Sequence, residues 1–169
     1  MSKRIVFITG ATSGIGEATA RLLARNNFDL ILCGRRKDRL EKLQRELAEY
    51  TEVTALSFDI RNQQDVKKSI VSFSYRWKSF DVFINNVGYL HCLDPIQSGK
   101  IEDWDAMMDI NVKGLLYVSR EIIPGMTERQ RGHIINLGSI AGKEVYPNGN
   151  VYCASKFAVD ALTQGIRMD

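Results

Sequence analysis

The stretch from Ile5 to Gly16, I-V-F-I-T-G-A-T-S-G-I-G, constrains what this chain can fold into more than any other. Ile5, Val6, Phe7 and Ile8 are apolar at consecutive positions and three of them are β-branched, which predicts a strand covered on both faces. Thr9-Gly10 marks the turn that ends it. Gly14 and Gly16 then open a helical pattern in which Ile15, Ala18, Ala20, Leu22 and Leu23 form the apolar stripe and Glu17 sits in the first turn. A strand, a glycine turn and a helix N-terminus in that order make an anion site. Backbone without side chains approaches a pyrophosphate closely, while unpaired N–H groups and the helix dipole point at it. The spacing of Gly10, Gly14 and Gly16 is T-G-x-x-x-G-x-G, a variant of the common G-x-G-x-x-G dinucleotide fingerprint.

The rest of the chain repeats the alternation. Residues 29–33 read as a second apolar strand that runs into Gly34-Arg35-Arg36, and 37–50 as an amphipathic helix with Leu40, Leu43 and Leu47 on one face. A third strand over 53–58 is closed by Asp59. Asn62 caps a helix carrying Val66, Ile70, Val71 and Phe73, and a fourth strand over 81–84 enters Asn85-Asn86-Val87-Gly88. A loop with Pro95 leads to a long helical region over 101–123, then a fifth strand over 133–137 and a last helix from 151 to the end. This order predicts a single α/β domain over 1–169. Its architecture is a Rossmann-type, doubly wound parallel sheet with right-handed crossovers, a three-layer sandwich. Ligands of such a sheet lie at the carboxyl ends of its strands, where Gly10, Arg35, Asp59, Asn86 and Ser139 fall.

The net charge of +3 is spread along 169 residues without a run of five like charges, so neither nucleic acid nor a membrane surface is expected as a partner. Cys33, Cys92 and Cys153 are odd in number and far apart, which predicts no disulfide framework and fits a reducing cytoplasm. His91 stands beside Cys92, but with His133 as the remaining histidine and no ligand spacing the pair reads as loop, and no metal is expected. The first strand begins almost at once, leaving no room for a signal peptide, and no apolar run approaches membrane-spanning length.

Tyr152 and Lys156 stand four apart at the start of the last predicted helix and so share a face. A tyrosine of ordinary pKa ≈ 10 is about 0.1% ionised at pH 7, and acid/base work there needs about three units of depression, or ~4 kcal/mol. One ammonium at ~4 Å in an effective dielectric of ~20 supplies about that much. Ser139 closes the fifth strand on the edge where Tyr152 opens the helix, placed to donate to a carbonyl oxygen that the tyrosine protonates.

Together, T-G-A-T-S-G-I-G at 9–16, N-N-V-G at 85–88, N-V-K-G at 111–114, G-S-I-A-G at 138–142 and Y-C-A-S-K at 152–156 resemble the short-chain dehydrogenase/reductase family, in order and across the whole chain. The resemblance implies a catalytic tetrad of Asn111, Ser139, Tyr152 and Lys156. Tyr152 would exchange the proton, Ser139 would bind and orient the substrate oxygen, Lys156 would lower the tyrosine pKa and hold the nicotinamide ribose, and Asn111 would support a proton-relay water. It also implies a cofactor site from Gly10, Ala11, Thr12, Ser13, Gly14, Ile15, Asp59, Ile60 and Asn86, joined by Tyr152 and Lys156. Val87 departs from the family's usual alanine, and its bulk is expected to alter cofactor affinity.

An NAD-binding unit carries an acidic residue about 20 positions past the glycines, whereas nineteen past Gly16 stands Arg35, followed by Arg36. Two guanidiniums there favour a 2′-phosphate, so NADP is the expected cofactor. G-R-R at 34–36, P-G-M-T-E-R at 124–129 and Y-P-N-G-N-V-Y at 146–152 resemble the NADP-dependent 3-hydroxy acid dehydrogenases, which act on serine, allo-threonine and related acids. The alternatives are a reductase of another carbonyl substrate, such as a 3-oxoacyl thioester, and a non-catalytic nucleotide-binding fragment. The resemblance implies a homodimer or homotetramer. It also implies further C-terminal strands and a substrate loop, because the helical pattern still runs at Asp169 without a cap.

Overall fold

The structure is a computed structural model and describes residues 3–169. Five parallel strands form one sheet in the order β3-β2-β1-β4-β5: β1 Ile5–Thr9, β2 Asp29–Gly34, β3 Val53–Ser57, β4 Val82–Asn85 and β5 His133–Asn136. β1, β2 and β4 are buried at every position, as the apolar runs predict, while β3 and β5 are partly exposed.

Successive side chains of a strand point to opposite faces, and two cores follow from that period. Ile5 and Phe7 join Ile31 and Phe83 under α3 (Gln63–Val71) and α6 (Gly114–Glu128), where Val66, Ile70, Val118 and Ile122 meet them. Phe7 is the centre of this side, its ring 5.8 Å from Phe73, 5.6 Å from Phe80 and 5.3 Å from Phe83. Val6 and Ile8 face the other way with Leu30, Leu32, Val82 and Ile84, against α1 (Gly14–Arg25) and α2 (Lys37–Leu47).

Three sequence expectations are corrected. The buried stripe of α1 is Gly16, Ala20 and Ala24, with Leu23 packed at its edge, while Ile15 and Leu22 lie exposed. Small residues spaced i, i+4 let the helix approach the sheet closely, so the larger apolar residues are not the inward ones. Val71, expected on the apolar face of α3, is exposed at the helix's last turn. The region 101–123 is not one helix. It comprises α5 (Ile101–Met108), a π-helical turn (Asp109–Lys113) and α6, which runs on through Pro124 to Glu128. A one-turn helix, α4 (Tyr75–Lys78), lies between α3 and β4, in a stretch the sequence pattern leaves unassigned. The last helix, α7, spans Asn150–Met168, and a 3₁₀ turn, Ile140–Gly142, precedes it.

α4 has a visible purpose. Asp29 begins β2 almost fully buried and accepts from Thr51 Oγ1 (2.5 Å) and the Glu52 N–H (3.1 Å). Arg76 of α4 pairs with this carboxylate and with Glu52. A buried carboxylate left without such partners would neutralise or destabilise the fold, so α4 supplies the charge that lets β2 start polar. Asp81 is treated likewise at the start of β4, accepting from the Ile5 N–H at 2.9 Å and pairing with Arg131. Among the described residues no helix is long and apolar enough to cross a membrane, and the three cysteines are free thiols, Cys33 and Cys153 buried and Cys92 exposed.

Candidate active site

The glycine turn after β1 is built by exclusion of side chains. Gly10 and Gly14 adopt left-handed φ of +67° and +57°, a region that favours glycine. Asn86, just past β4, fills the space this leaves. Its Nδ2 donates to the carbonyls of Thr9 (3.2 Å) and Gly10 (3.1 Å). A Cβ on Gly16 would lie 2.5 Å from that same nitrogen and against the Gly10 carbonyl, so α1 can start where it does only with glycine there. Thr9 Oγ1 accepts from the Asn86 N–H (3.2 Å) and donates to Asn85 Oδ1 (3.2 Å). The polar ladder continues from Asn85 to Asn136 (3.3 Å) and from Asn136 to Thr163 of α7 (3.0 Å), tying three strands and the last helix together.

The turn opens on a cleft of about 630 Å³ at the carboxyl ends of the strands. Gly10, Thr12, Ser13 and Ile15 line it on one side; Arg35, Arg36, Asp59, Ile60 and Asn86 line the other. Val87 also lines it, so its bulk does stand in the cleft. Ala11 and Gly14 do not. Ala11 is wholly buried, its N–H donating to the Cys33 carbonyl at 3.0 Å, and it anchors the turn to β2.

The two arginines have different surroundings. Arg36 clamps the glycine turn, its Nη2 donating to Thr12 Oγ1 and Ser13 Oγ at 2.8 Å each, and to the Thr12 carbonyl at 3.2 Å. Arg35 is well exposed, with one weak partner, Asp59, at 3.9 Å. Asp59 is engaged chiefly by Arg61, whose Nε lies 3.0 Å from Oδ2 and Nη2 2.6 Å from it. Burial works to raise the Asp59 pKa, but hydrogen bonds from Arg61 and the charges of Arg61 and Arg35 outweigh it and hold the carboxyl below its ordinary value. Asp59 therefore stays charged, and its close contacts go to Arg61 and not to Arg35. Cys33, in the cleft floor, is an inert thiol, its pKa pushed far up by burial and then by the charge of Asp59.

A second cluster gathers around α7. Lys156, almost fully buried, donates from Nζ to the Leu137 carbonyl at 3.1 Å, and burial holds its pKa below the ordinary lysine value. Gly142 lets the 3₁₀ turn lie against this part of α7, since a Cβ there would be 2.7 Å from the Lys156 carbonyl. Ser139 caps that turn, its Oγ accepting from the Ala141 N–H at 3.2 Å. Tyr152 is half-buried one turn before Lys156 and lines a small recess with Val151, Asn148 and the loop after β4. Folding thus carries the end of β5 with Ser139 to the helix that bears Tyr152 and Lys156.

Asn111 sits buried in the π-helical turn with its amide wholly engaged. Oδ1 accepts from the Tyr89 N–H (2.7 Å), and Nδ2 donates to the Tyr89 carbonyl (2.9 Å) and Ser155 Oγ (3.0 Å). Ser155 in turn donates to the Tyr152 carbonyl at 2.7 Å. Asn111 is therefore a tie between the loop after β4 and the tyrosine helix, and the π turn is the local irregularity that presents it, a feature that recurs at functional sites. Ser155 and Tyr89 stand outside the expected site residues. Ser155 lies inside the quoted Y-C-A-S-K stretch, where a signal is present; Tyr89 acts through contacts that sequence does not order.

A glycine-cradled cleft at the carboxyl ends of parallel strands, beside a buried lysine and a tyrosine one turn apart, is the arrangement of a Rossmann-type nucleotide-binding fold. Residues 4–169 match the short chain dehydrogenase family, to which the chain belongs. It is 43% identical over 165 residues to the NADP-dependent 3-hydroxy acid dehydrogenase YdfG of Salmonella typhi, covering 98% of this chain and 66% of that protein. The Escherichia coli K12 protein of the same name is 39% identical over the same span. The crystal structure of serine dehydrogenase from Escherichia coli superposes with a TM-score of 0.92 at 39% identity, over 98% of this chain and 75% of that one. A closed form of serine dehydrogenase complexed with NADP+ gives 0.92 as well, over 66% of its length. The chain thus spans just under two thirds of the length of the curated relatives it matches.

Proposed function

We propose that this chain is the nucleotide-binding and catalytic unit, one domain over 1–169, of a cytoplasmic NADP-dependent dehydrogenase that acts on small 3-hydroxy acids. The observation that carries the cofactor half is Arg35, an exposed guanidinium in the cleft where NAD-binding units carry a carboxylate. The glycine cradle fits a pyrophosphate, because Gly10, Gly14 and Gly16 leave bare backbone at the N-terminus of α1. Arg36, spent on Thr12 and Ser13, shapes the pocket, while Arg35 is free to meet a 2′-phosphate. When bound, NADP supplies hydride exchange at its nicotinamide ring.

The chain's own residues handle the proton and the orientation. Tyr152 gives a proton to, or takes one from, the substrate oxygen, and Ser139 donates a hydrogen bond to that oxygen. Lys156, fixed on Leu137, keeps a positive charge one helical turn from the phenol. Asn111 holds Tyr89 and, through Ser155, the backbone of Tyr152. The substrate half of the reading is supported by the 43% identity to a protein named for 3-hydroxy acids. Pairing into homodimers or homotetramers through α6 and α7 is supported by the exposure of Leu116 and Phe157 on those helices.

The test is turnover of the full-length protein with NADP and NAD against a panel of 3-hydroxy acids, simple secondary alcohols and, in reverse, 3-oxoacyl thioesters. Preference for a 3-hydroxy acid with NADP is expected; preference for a thioester would replace the substrate assignment.

A further inference from the structure

Outside the nucleotide cleft, three side chains with metal-ligand chemistry converge. His91 and Cys92 belong to the loop after β4, and Asp103 to the first turn of α5, eleven residues on. One ligand atom from each lies within 4.8 Å of the other two, and His91 Nε2 is 3.5 Å from Asp103 Oδ1. On a tetrahedral zinc ion, with bonds of ~2.0–2.3 Å, such atoms stand roughly 3.3–3.8 Å apart, so small side-chain rotations close the set. We infer that His91, Cys92 and Asp103 form a three-ligand site for a thiophilic divalent cation, zinc(II) by class, at the rim of the recess that holds Tyr152.

The donors and their surroundings suit a cation of that kind. The donors are an imidazole, a thiolate and a carboxylate, a set that selects zinc over magnesium or calcium, which take oxygen alone. Asp94 and Lys100 border the same recess, so beyond the ligands its charge is balanced and the donors themselves carry the selectivity. The imidazole is also supported, because its ring stacks on Tyr89 at 5.6 Å and 11°, and Asn111 holds the Tyr89 backbone from both sides. His91 and Cys92 are adjacent, and the left-handed φ of +52° at Cys92 breaks the alternation that would send neighbouring side chains to opposite sides of an extended strand. Three protein ligands leave the fourth position to water or to a small ligand. Bound there, the cation would fasten the loop after β4 to α5, two walls of the recess lined by Tyr152.

The reading is independent of the dehydrogenase assignment and is tested by binding alone. Cobalt(II) is titrated into the purified protein under a non-chelating reductant, and the near-ultraviolet absorbance of a cobalt–thiolate bond is followed. A band that saturates at one equivalent and is bleached by zinc is expected. Cys92→Ser should abolish it, whereas Cys153→Ser, at a buried thiol, should leave it unchanged. His91→Ala and Asp103→Asn should each weaken cobalt binding by more than about tenfold, since even outer partners of a metal site are worth ~10–100-fold. His91 and Cys92 are exposed, and thermal melts of each variant against the parent verify that the fold is kept. No thiolate band in the parent, a band that survives Cys92→Ser, or unchanged affinity in both His91→Ala and Asp103→Asn would overturn the assignment.

Discussion

Lys156 donates its ammonium to the carbonyl of Leu137 at 3.1 Å, which fixes the charge of α7 to the end of β5. Leu137 is two residues before Ser139, so the bond also sets the distance between the serine turn and the tyrosine helix. A lysine buried in this way costs stability in its charged form.

That cost has a pH signature. Burial holds the Lys156 pKa below its ordinary value of 10.5, so the folded state gives up this proton before the unfolded chain does. Below the folded pKa both states are charged and the penalty is fully present. Between the two pKa values the unfolded state binds more protons, and stability contributed by this group rises with pH. Lys156→Met should therefore be at least as stable as the parent near neutrality, and its advantage should shrink as the pH approaches about 10. Thermal melts of both proteins across that range check this; a difference that does not change with pH would mean the ammonium is effectively solvated.

Tyr152→Phe should remove most turnover and leave NADP affinity nearly intact, because the role proposed for the hydroxyl is the proton while the cleft is built elsewhere. General acid/base help amounts to about 10²–10⁴-fold. Steady-state rates and a fluorescence titration of NADPH separate the two quantities, and turnover within a few fold of the parent would remove the tyrosine from the mechanism.

Arg35→Ala should weaken NADP binding and spare NAD. Hydrogen bonds to charged groups contribute roughly 1.5–3 kcal/mol, or about 10- to 150-fold, and the exposure of Arg35 together with its loose pairing to Asp59 places the loss near the lower end. Arg36→Ala should weaken both cofactors, since Arg36 holds Thr12 and Ser13. Titration of each variant with each cofactor decides it; equal losses in Arg35→Ala would assign that arginine to general electrostatics.

Gly16→Ala should cost about 1–3 kcal/mol and reduce nucleotide binding, because the added methyl meets the Asn86 amide and a backbone carbonyl that cannot move without the turn. Gly165→Ala is the control: the space around it in α7 is open, and alanine there should stabilise by about 0.5–1 kcal/mol. Denaturant melts of the two should move in opposite directions, and equal behaviour would contradict the packing described for Gly16.

The sequence carried the strands, their parallel direction and the edge at which Gly10, Arg35, Asp59 and Asn86 gather, because apolar runs, glycine turns and alternation with helices are local signals, whereas the order β3-β2-β1-β4-β5 depends on long-range pairing. It also made Tyr152 and Lys156 legible, since a spacing of four on a helix is itself a geometric statement. Only tertiary structure decided the partners. That Asn86 fills the space of two missing Cβ atoms, that Arg36 grips the glycine turn while Arg35 stays open, and that Asn111 spends its amide on Tyr89 and Ser155 are long-range contacts without periodicity in the chain. The interruption of 101–123 by a π turn was hidden because apolar residues keep a helical rhythm through it. The pairing of Asp103 with His91 and Cys92 was hidden because α5 must first fold back onto the loop after β4. Local pattern is set by the backbone's own period, whereas these contacts depend on where separate elements come to rest against one another.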